Sequence, residues 1–263
     1  MSKGNWGPTA ALALTLAGQP VFAQTPQLAN FTTPGPTNVT YAAPDGTTLK
    51  GYLALPDGTS PRPAVILIHE WWGLNQDIVA RADALAKEGF VVLAPDGFRG
   101  RVAANASAAQ KQTSETPAAQ IAGDLDAAFQ FLARNPRVIP GKVASWGFCF
   151  GGSQSQRLAT RQPALAAAVV FYGGGPLQGV EDLGVWTAKT PMLGVYGKLD
   201  PNIPVAKVRA FEAALEAKGI PATITVYPGV GHAFVNSANY AQGGAPTLAW
   251  RQAVEFLKVT LGS

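Results

Sequence analysis

Gly147-Phe148-Cys149-Phe150-Gly151 is the stretch on which the fold of this 263-residue chain turns. It has the form G-x-C-x-G and falls between a β-like run, Lys142–Trp146, and a helical one, Gly151–Thr160. A sharp strand-to-helix turn holds its central residue in a strained conformation at the top of a sheet, with small residues two positions to either side. Gly147 and Gly151 meet that need, and Gly152 and Ser153 keep the helix start open. Such a turn aims the Phe150 backbone N–H and the positive helix end at a reacting carbonyl. The same helix end is expected to favour the Cys149 thiolate over the thiol. A buried inert cysteine is the default for this residue type. Placement between strand and helix argues instead for a nucleophile.

Outward from that turn, strands and helices alternate. Ala64–Ile68 is a continuous apolar run, the mark of a strand buried on both faces of a parallel sheet. Phe90–Ala94, Ala166–Phe171, Met192–Tyr196 and Thr223–Tyr227 read as further strands. Ile78–Lys87, Pro117–Ala133, Val205–Lys218 and Leu248–Leu261 carry apolar residues at helical spacing. Asp45-Gly46 is a turn signal between Val39–Ala42 and Leu49–Leu55, which predicts an antiparallel N-terminal edge hairpin. The fold expected is the α/β-hydrolase fold: a mostly parallel central sheet with helices on both faces. Ligands of such sheets bind at the carboxyl ends of the strands.

The chain ends and the composition limit what else is expected. Residues 1–23 resemble a signal peptide: Lys3, the apolar run Ala10–Ala17, and Val21-Phe22-Ala23 before a cut. The run is too short to span a bilayer, so no stable membrane insertion is expected. Cleavage would place the protein in the periplasm or outside the cell. The alternative is a cytoplasmic protein with an N-terminal tail. Residues 24–38 read as a linker or an arm laid over the domain, and 39–263 as the α/β-hydrolase domain. The net charge of +4 is scattered, with no Lys/Arg cluster able to track a phosphate backbone, so no nucleic acid partner is expected. One cysteine precludes an internal disulfide. A monomer is expected.

The two histidines narrow the search for a base. In this fold the chain order is nucleophile, acid, histidine. His232, in the Gly-rich loop after the last strand, fits that order; His69, ahead of the nucleophile, does not. Asp200 follows the strand Met192–Tyr196 and would hold the His232 ring in its working tautomer. Glu181 and Asp182 are rivals without a strand directly before them, and Asp96 precedes the nucleophile and reads as structural. Asp200 could also simply cap a turn before Pro201. His69-Glu70 opens an H-E-x-x-H-like string, but Gly73 stands where the second histidine of a zinc site belongs. No metal and no cofactor are expected.

The loop after Ala64–Ile68 is His69-Glu70-Trp71-Trp72-Gly73-Leu74-Asn75, and the Trp71 N–H is expected to give the second oxyanion donor beside Phe150. Glu70 either faces solvent or contacts Cys149 and tunes its ionisation. Glu70 through Asn75, Pro95-Asp96, the Cys149 turn, Asp200 and Gly231-His232-Ala233-Phe234 together resemble the dienelactone hydrolase (carboxymethylenebutenolidase) family, from about Val39 to Leu261. The resemblance implies a cofactor-independent cysteine hydrolase that opens an enol-lactone through an acyl-enzyme. It also implies that Glu70 meets the thiol at rest and is displaced when substrate binds. The chain departs from the dienelactone-cleaving members, which carry an arginine shortly after the histidine. Here Val235-Asn236-Ser237 follows Phe234, and the next arginine is Arg251. Arg99 and Arg101 lie near a second arginine position without clear alignment.

The expected partner is therefore a small-molecule ester or lactone. A neutral or aromatic ester fits at least as well as an acidic dienelactone. Trp72, Phe148, Tyr172 and Phe234, with Trp71 and Phe150, are candidates to line an apolar pocket, set against core packing. Two alternatives remain: a thioesterase or other acyl hydrolase of the same fold, and an inactive binding protein built on it.

Overall fold

The computed structural model describes residues 28–43, 45–174 and 180–262. The signal-like segment 1–23 lies outside them, as do residues 24–27 of the expected linker. Strands β1 (Val39–Ala42), β2 (Thr48–Ala54), β3 (Arg62–Ile68), β4 (Val91–Pro95), β5 (Val138–Phe148), β6 (Ala167–Phe171), β7 (Met192–Gly197) and β8 (Ala222–Tyr227) form one sheet in the order β1-β2-β4-β3-β5-β6-β7-β8. β1 pairs antiparallel with β2, and β2 antiparallel with β4; every later pairing is parallel. The edge hairpin and the α/β-hydrolase fold are both present as expected.

β4, β6 and β7 are buried at every residue, because helices cover both faces. The helices are α1 (Leu28–Thr32), α2 (Gln76–Lys87), α3 (Ala106–Glu115), α4 (Ala118–Ala133), α5 (Phe150–Ala159), α6 (Val205–Ala217) and α7 (Gly244–Leu261). Beneath the cysteine turn, fully buried Trp146 on β5 packs against Phe148, Phe171 and Trp250. That aromatic layer joins three elements under the sheet's working end.

Three elements differ from the sequence expectation, the first being the short α1 inside the segment read as a linker or arm. α3 is unforeseen because only Ala109 and Gln112 of it are buried, which leaves no apolar stripe to read. Its start is fixed locally, with the Asn105 side chain accepting a hydrogen bond from the Ala108 N–H at 3.0 Å. β5 begins at Val138 rather than Lys142: Val138 pairs with Arg62, and the register slips before Val143 meets Ala64. Pro140-Gly141, a turn signal inside the run, hides that first segment from a strand reading.

Candidate active site

Cys149 sits between β5 and α5 with φ 53° and ψ −114°, outside the regions a non-glycine residue favours. Strain of this kind costs about 1–3 kcal/mol and needs a surrounding that enforces it. Both flanking glycines show the enforcement. A Cβ on Gly147 would lie 1.9 Å from the Gly151 carbonyl oxygen, and one on Gly151 only 2.2 Å from that of Ile68. The Cys149 N–H donates to Phe171 O at 2.9 Å, tying the turn to the end of β6.

The tertiary structure brings Cys149, His232 and Asp200 into one line. His232 Nε2 lies 3.0 Å from Cys149 Sγ, and His232 Nδ1 lies 2.6 Å from Asp200 Oδ2. A carboxylate only accepts, so Nδ1 carries the proton and Nε2 faces the thiol as an acceptor. The two readings of Asp200 prove compatible. Its Oδ1 caps the turn, accepting from the Asn202 and Ile203 N–H groups at 2.8 and 3.2 Å, while Oδ2 holds the imidazole. The acid and histidine loops are laced together by Leu199 N–H donating to Val230 O at 2.9 Å. Asp182 instead belongs to a short 3-10 turn, Val180–Leu183, packed against α6.

Glu70 does not face solvent. It is 3% exposed and accepts a 2.7 Å hydrogen bond from Arg81 Nη2 on α2. Arg81 is wholly buried, pairs also with Asp77 one turn earlier, and lies 4.0 Å over the Phe148 ring. Asp77 in turn accepts from the Ser237 N–H and hydroxyl, five residues past His232. One buried arginine thus links the Glu70 loop to the histidine loop. Glu70 lines the same cavity as Cys149, but its Oε2 has no hydrogen-bond partner, so the resting contact with the thiol that the resemblance implied is not made; the thiol meets His232 instead. Burial raises the Glu70 carboxyl above the usual carboxylate range, with Arg81 opposing and Asp77 adding to the rise.

The thiolate expectation needs correction. Burial, then the Glu70 charge, pushes the Cys149 thiol up to about 12, with Asp200 adding a smaller push. The Phe150 N–H pulls the other way, as the helix end should, but is outweighed. At neutral pH the undisturbed site holds a thiol.

His69 has a part that chain order alone did not suggest. Its Nε2 accepts from the Gly97 N–H at 3.2 Å, so its Nδ1 is the donor to Glu70 O at 2.6 Å. Burial lowers the His69 pKa, favouring the neutral ring this arrangement requires. A trans peptide points its C=O and N–H in opposite directions. Fixing the Glu70 carbonyl on His69 therefore turns the Trp71 N–H away from it. The next carbonyl, that of Trp71, accepts from Gln112 Nε2 of α3 at 2.6 Å.

A cavity of about 630 Å³ opens at the sulfur, lined by Trp71, Trp72, Phe150, Tyr172, Ile203 and Val235, with Phe31 from the N-terminal arm. Trp71, Trp72, Phe150 and Tyr172 thus stand where the sequence suggested. Phe148 and Phe234 do not line it. Phe148 is fully buried between Trp146, Phe171 and Arg81, and Phe234 packs against Tyr172 and Tyr227. Alternation along β5 turns Phe148 to the same face as Trp146 and into the core, while Phe234 is drawn inward from its loop by the two tyrosine rings. No Lys or Arg is among the described lining residues. Arg99 pairs with Asp124 at 2.8 Å, Arg101 reaches Thr116 Oγ1 at 2.5 Å, and Asn236 closes a local turn with Asn239.

Comparison with known proteins agrees with this geometry: the sequence profile of the dienelactone hydrolase family matches residues 49–261. The chain belongs to that family. A Methylorubrum extorquens protein named as a candidate carboxymethylenebutenolidase is 32% identical over 240 residues, spanning 85% of this chain and 80% of that one. The crystal structure of a candidate dienelactone hydrolase from Klebsiella pneumoniae superposes with a TM-score of 0.71 at 28% identity, covering 85% of this chain and 99% of that one. A dienelactone hydrolase-like promiscuous phosphotriesterase from metagenomic libraries shares the fold, with a TM-score of 0.73 at 24% identity over 86% and 99% of the two chains. This dienelactone hydrolase-family chain is accordingly a hydrolase.

Proposed function

We propose that this protein is a cysteine hydrolase of neutral, apolar carboxylic esters or lactones, working through an acyl-enzyme on Cys149 with Asp200 and His232. The observation that carries the reading is the 3.0 Å approach of His232 Nε2 to Cys149 Sγ at the mouth of an apolar cavity. In the first half-reaction the sulfur attacks the ester carbonyl while its proton passes to His232 Nε2. The carbonyl oxygen becomes an oxyanion, received by the Trp71 and Phe150 N–H groups. The tetrahedral adduct collapses, breaking the bond to the alkoxy oxygen, which takes the proton from His232 and leaves as an alcohol. A water molecule, losing its proton to the freed His232 Nε2, then attacks the thioester. Collapse of that second adduct returns the proton to sulfur and releases the carboxylic acid. Asp200 stays ionised throughout and stabilises the imidazolium.

A thiol pushed up to about 12 by its surroundings is a poor nucleophile until His232 takes its proton, and relief of the nearby negative charge would ease that transfer. Glu70 is the group that carries this charge. Its charge raises the thiol, and while Arg81 already holds its Oε1, its Oε2 has no partner and is free to take one when substrate binds. The absence of a cation among the described lining residues favours neutral over acidic esters, since a substrate carboxylate would enter beside Glu70 unpaired.

The test is acid quenching during turnover of a phenyl ester, followed by peptide mass spectrometry. The expected result is the acyl group on Cys149. Undiminished hydrolysis after stoichiometric alkylation of Cys149 by iodoacetamide refutes the proposal.

A further inference from the structure

One wall of the cavity comes from ahead of residue 49, where the family match begins. Phe31, on α1, is 8% exposed, and its ring centroid lies 6.2 Å from that of Trp72. The residues after it are stitched to the loop that carries Glu70 and Trp71. Asn75 Nδ2 donates to Phe31 O at 3.1 Å, and the Gln76 N–H to Thr33 O at 3.1 Å. Gln76 Nε2 donates to Pro34 O at 3.1 Å, and the Gly35 N–H to Leu74 O at 3.0 Å. Gly35 is required for this closeness, since a Cβ there would lie 2.8 Å from Val79 Cγ2 and 2.9 Å from Asn75 O.

Each strap atom in those bonds is a backbone atom. The strap is held without the Phe31 side chain, whose ring is left to pack on Trp72 and face the cavity. We propose that residues 31–35 form a strap that seats the Phe31 ring as a specificity-determining wall, limiting the size of the apolar group a substrate can present. This rests on the reading of the cavity as the ester-binding site. A wall contributed by a strap can change between relatives without disturbing the sheet or the cysteine turn, because no strand depends on it.

Phenyl acetate and 2-naphthyl acetate test this, as they share an acyl group and differ by one ring. In Phe31→Ala the naphthyl-to-phenyl ratio of kcat/KM should rise about tenfold or more, the scale on which an apolar pocket discriminates size. Phe31→Trp should lower the ratio, and Gly35→Val, which unseats the strap without touching the cavity, should raise it. The same ratios are to be read as dissociation constants in a Cys149→Ala background, from the fluorescence of Trp71 and Trp72. A ratio within twofold of wild type in all three variants, by rate and by binding, overturns the strap proposal. A shifted binding ratio accompanied by hydrolysis that survives loss of Cys149 upholds the strap and overturns the cysteine mechanism instead.

Discussion

Gly151→Ala should cripple the enzyme through a single methyl group. Gly151 lies in the first turn of α5, and its added Cβ would sit 2.2 Å from Ile68 O and 2.6 Å from His69 O. Both are backbone atoms at the end of β3, so no side chain can rotate aside. Against a carbon–oxygen separation of at least 3.0 Å, the start of α5 must withdraw by about 1 Å. Phe150 N–H and Cys149 ride on that turn. A displacement of about 1 Å at reacting groups costs about 10²-fold in rate, or roughly 2.7 kcal/mol of barrier. Overpacking adds a stability loss of about 1–3 kcal/mol, partly offset by the better helix propensity of alanine. The assay is kcat/KM for phenyl acetate alongside urea denaturation. Gly123→Ala in α4 is the internal control, because a Cβ there meets nothing within 4 Å. It should keep activity and gain about 0.5–1 kcal/mol. If Gly151→Ala retains kcat/KM within threefold and wild-type stability, the steric argument for the turn is refuted.

Other perturbations separate the remaining parts of the site. Arg81→Met strands two buried carboxylates and should cost about 3–5 kcal/mol in denaturant titrations, with partial recovery on adding Glu70→Gln; a loss below 1 kcal/mol contradicts the pairing seen here. The thiolate is the form that iodoacetamide attacks, and a pKa raised to about 12 keeps it scarce. Alkylation of Cys149 should therefore accelerate about tenfold per pH unit from 7 to 10 without a plateau; a plateau below pH 8 contradicts a resting thiol. Glu70→Gln removes a charge that disfavours the thiolate, so alkylation at fixed pH should quicken while ester turnover falls with the fold kept. If the variant unfolds and its folded fraction turns over normally, Glu70 is structural. For export, protein recovered from its native host should begin near Gln24, and an intact Met1 or Ser2 contradicts it.

How far the sequence could be read depended on how local each signal was. The cysteine turn was legible because its constraint spans five residues: two glycines, a strand before and a helix after. The Asp200 and His232 assignments needed only chain order and strand ends, and the structure places His232 against Cys149 with Asp200 behind it on the far ring nitrogen. α3 was invisible because its stability comes from a cap and from contacts of Gln112, not from an apolar stripe. Phe148 and Phe234 look like pocket residues in sequence, since aromatics beside a catalytic residue read alike whether they face a ligand or the core.

By itself, then, the chain determined its sheet, its edge hairpin, and the elbow glycines that set Cys149 at the top, because hydrophobic period and steric demand act between near neighbours. Tertiary structure alone decided the rest. It turned Glu70 inward to Arg81, gave His69 the task of orienting the Glu70–Trp71 peptide, and laid Phe31 over the cavity. It also decided the state of the thiol. Burial and the Glu70 charge are properties of what surrounds Cys149 in space, and they override the helix end that sequence places beside it.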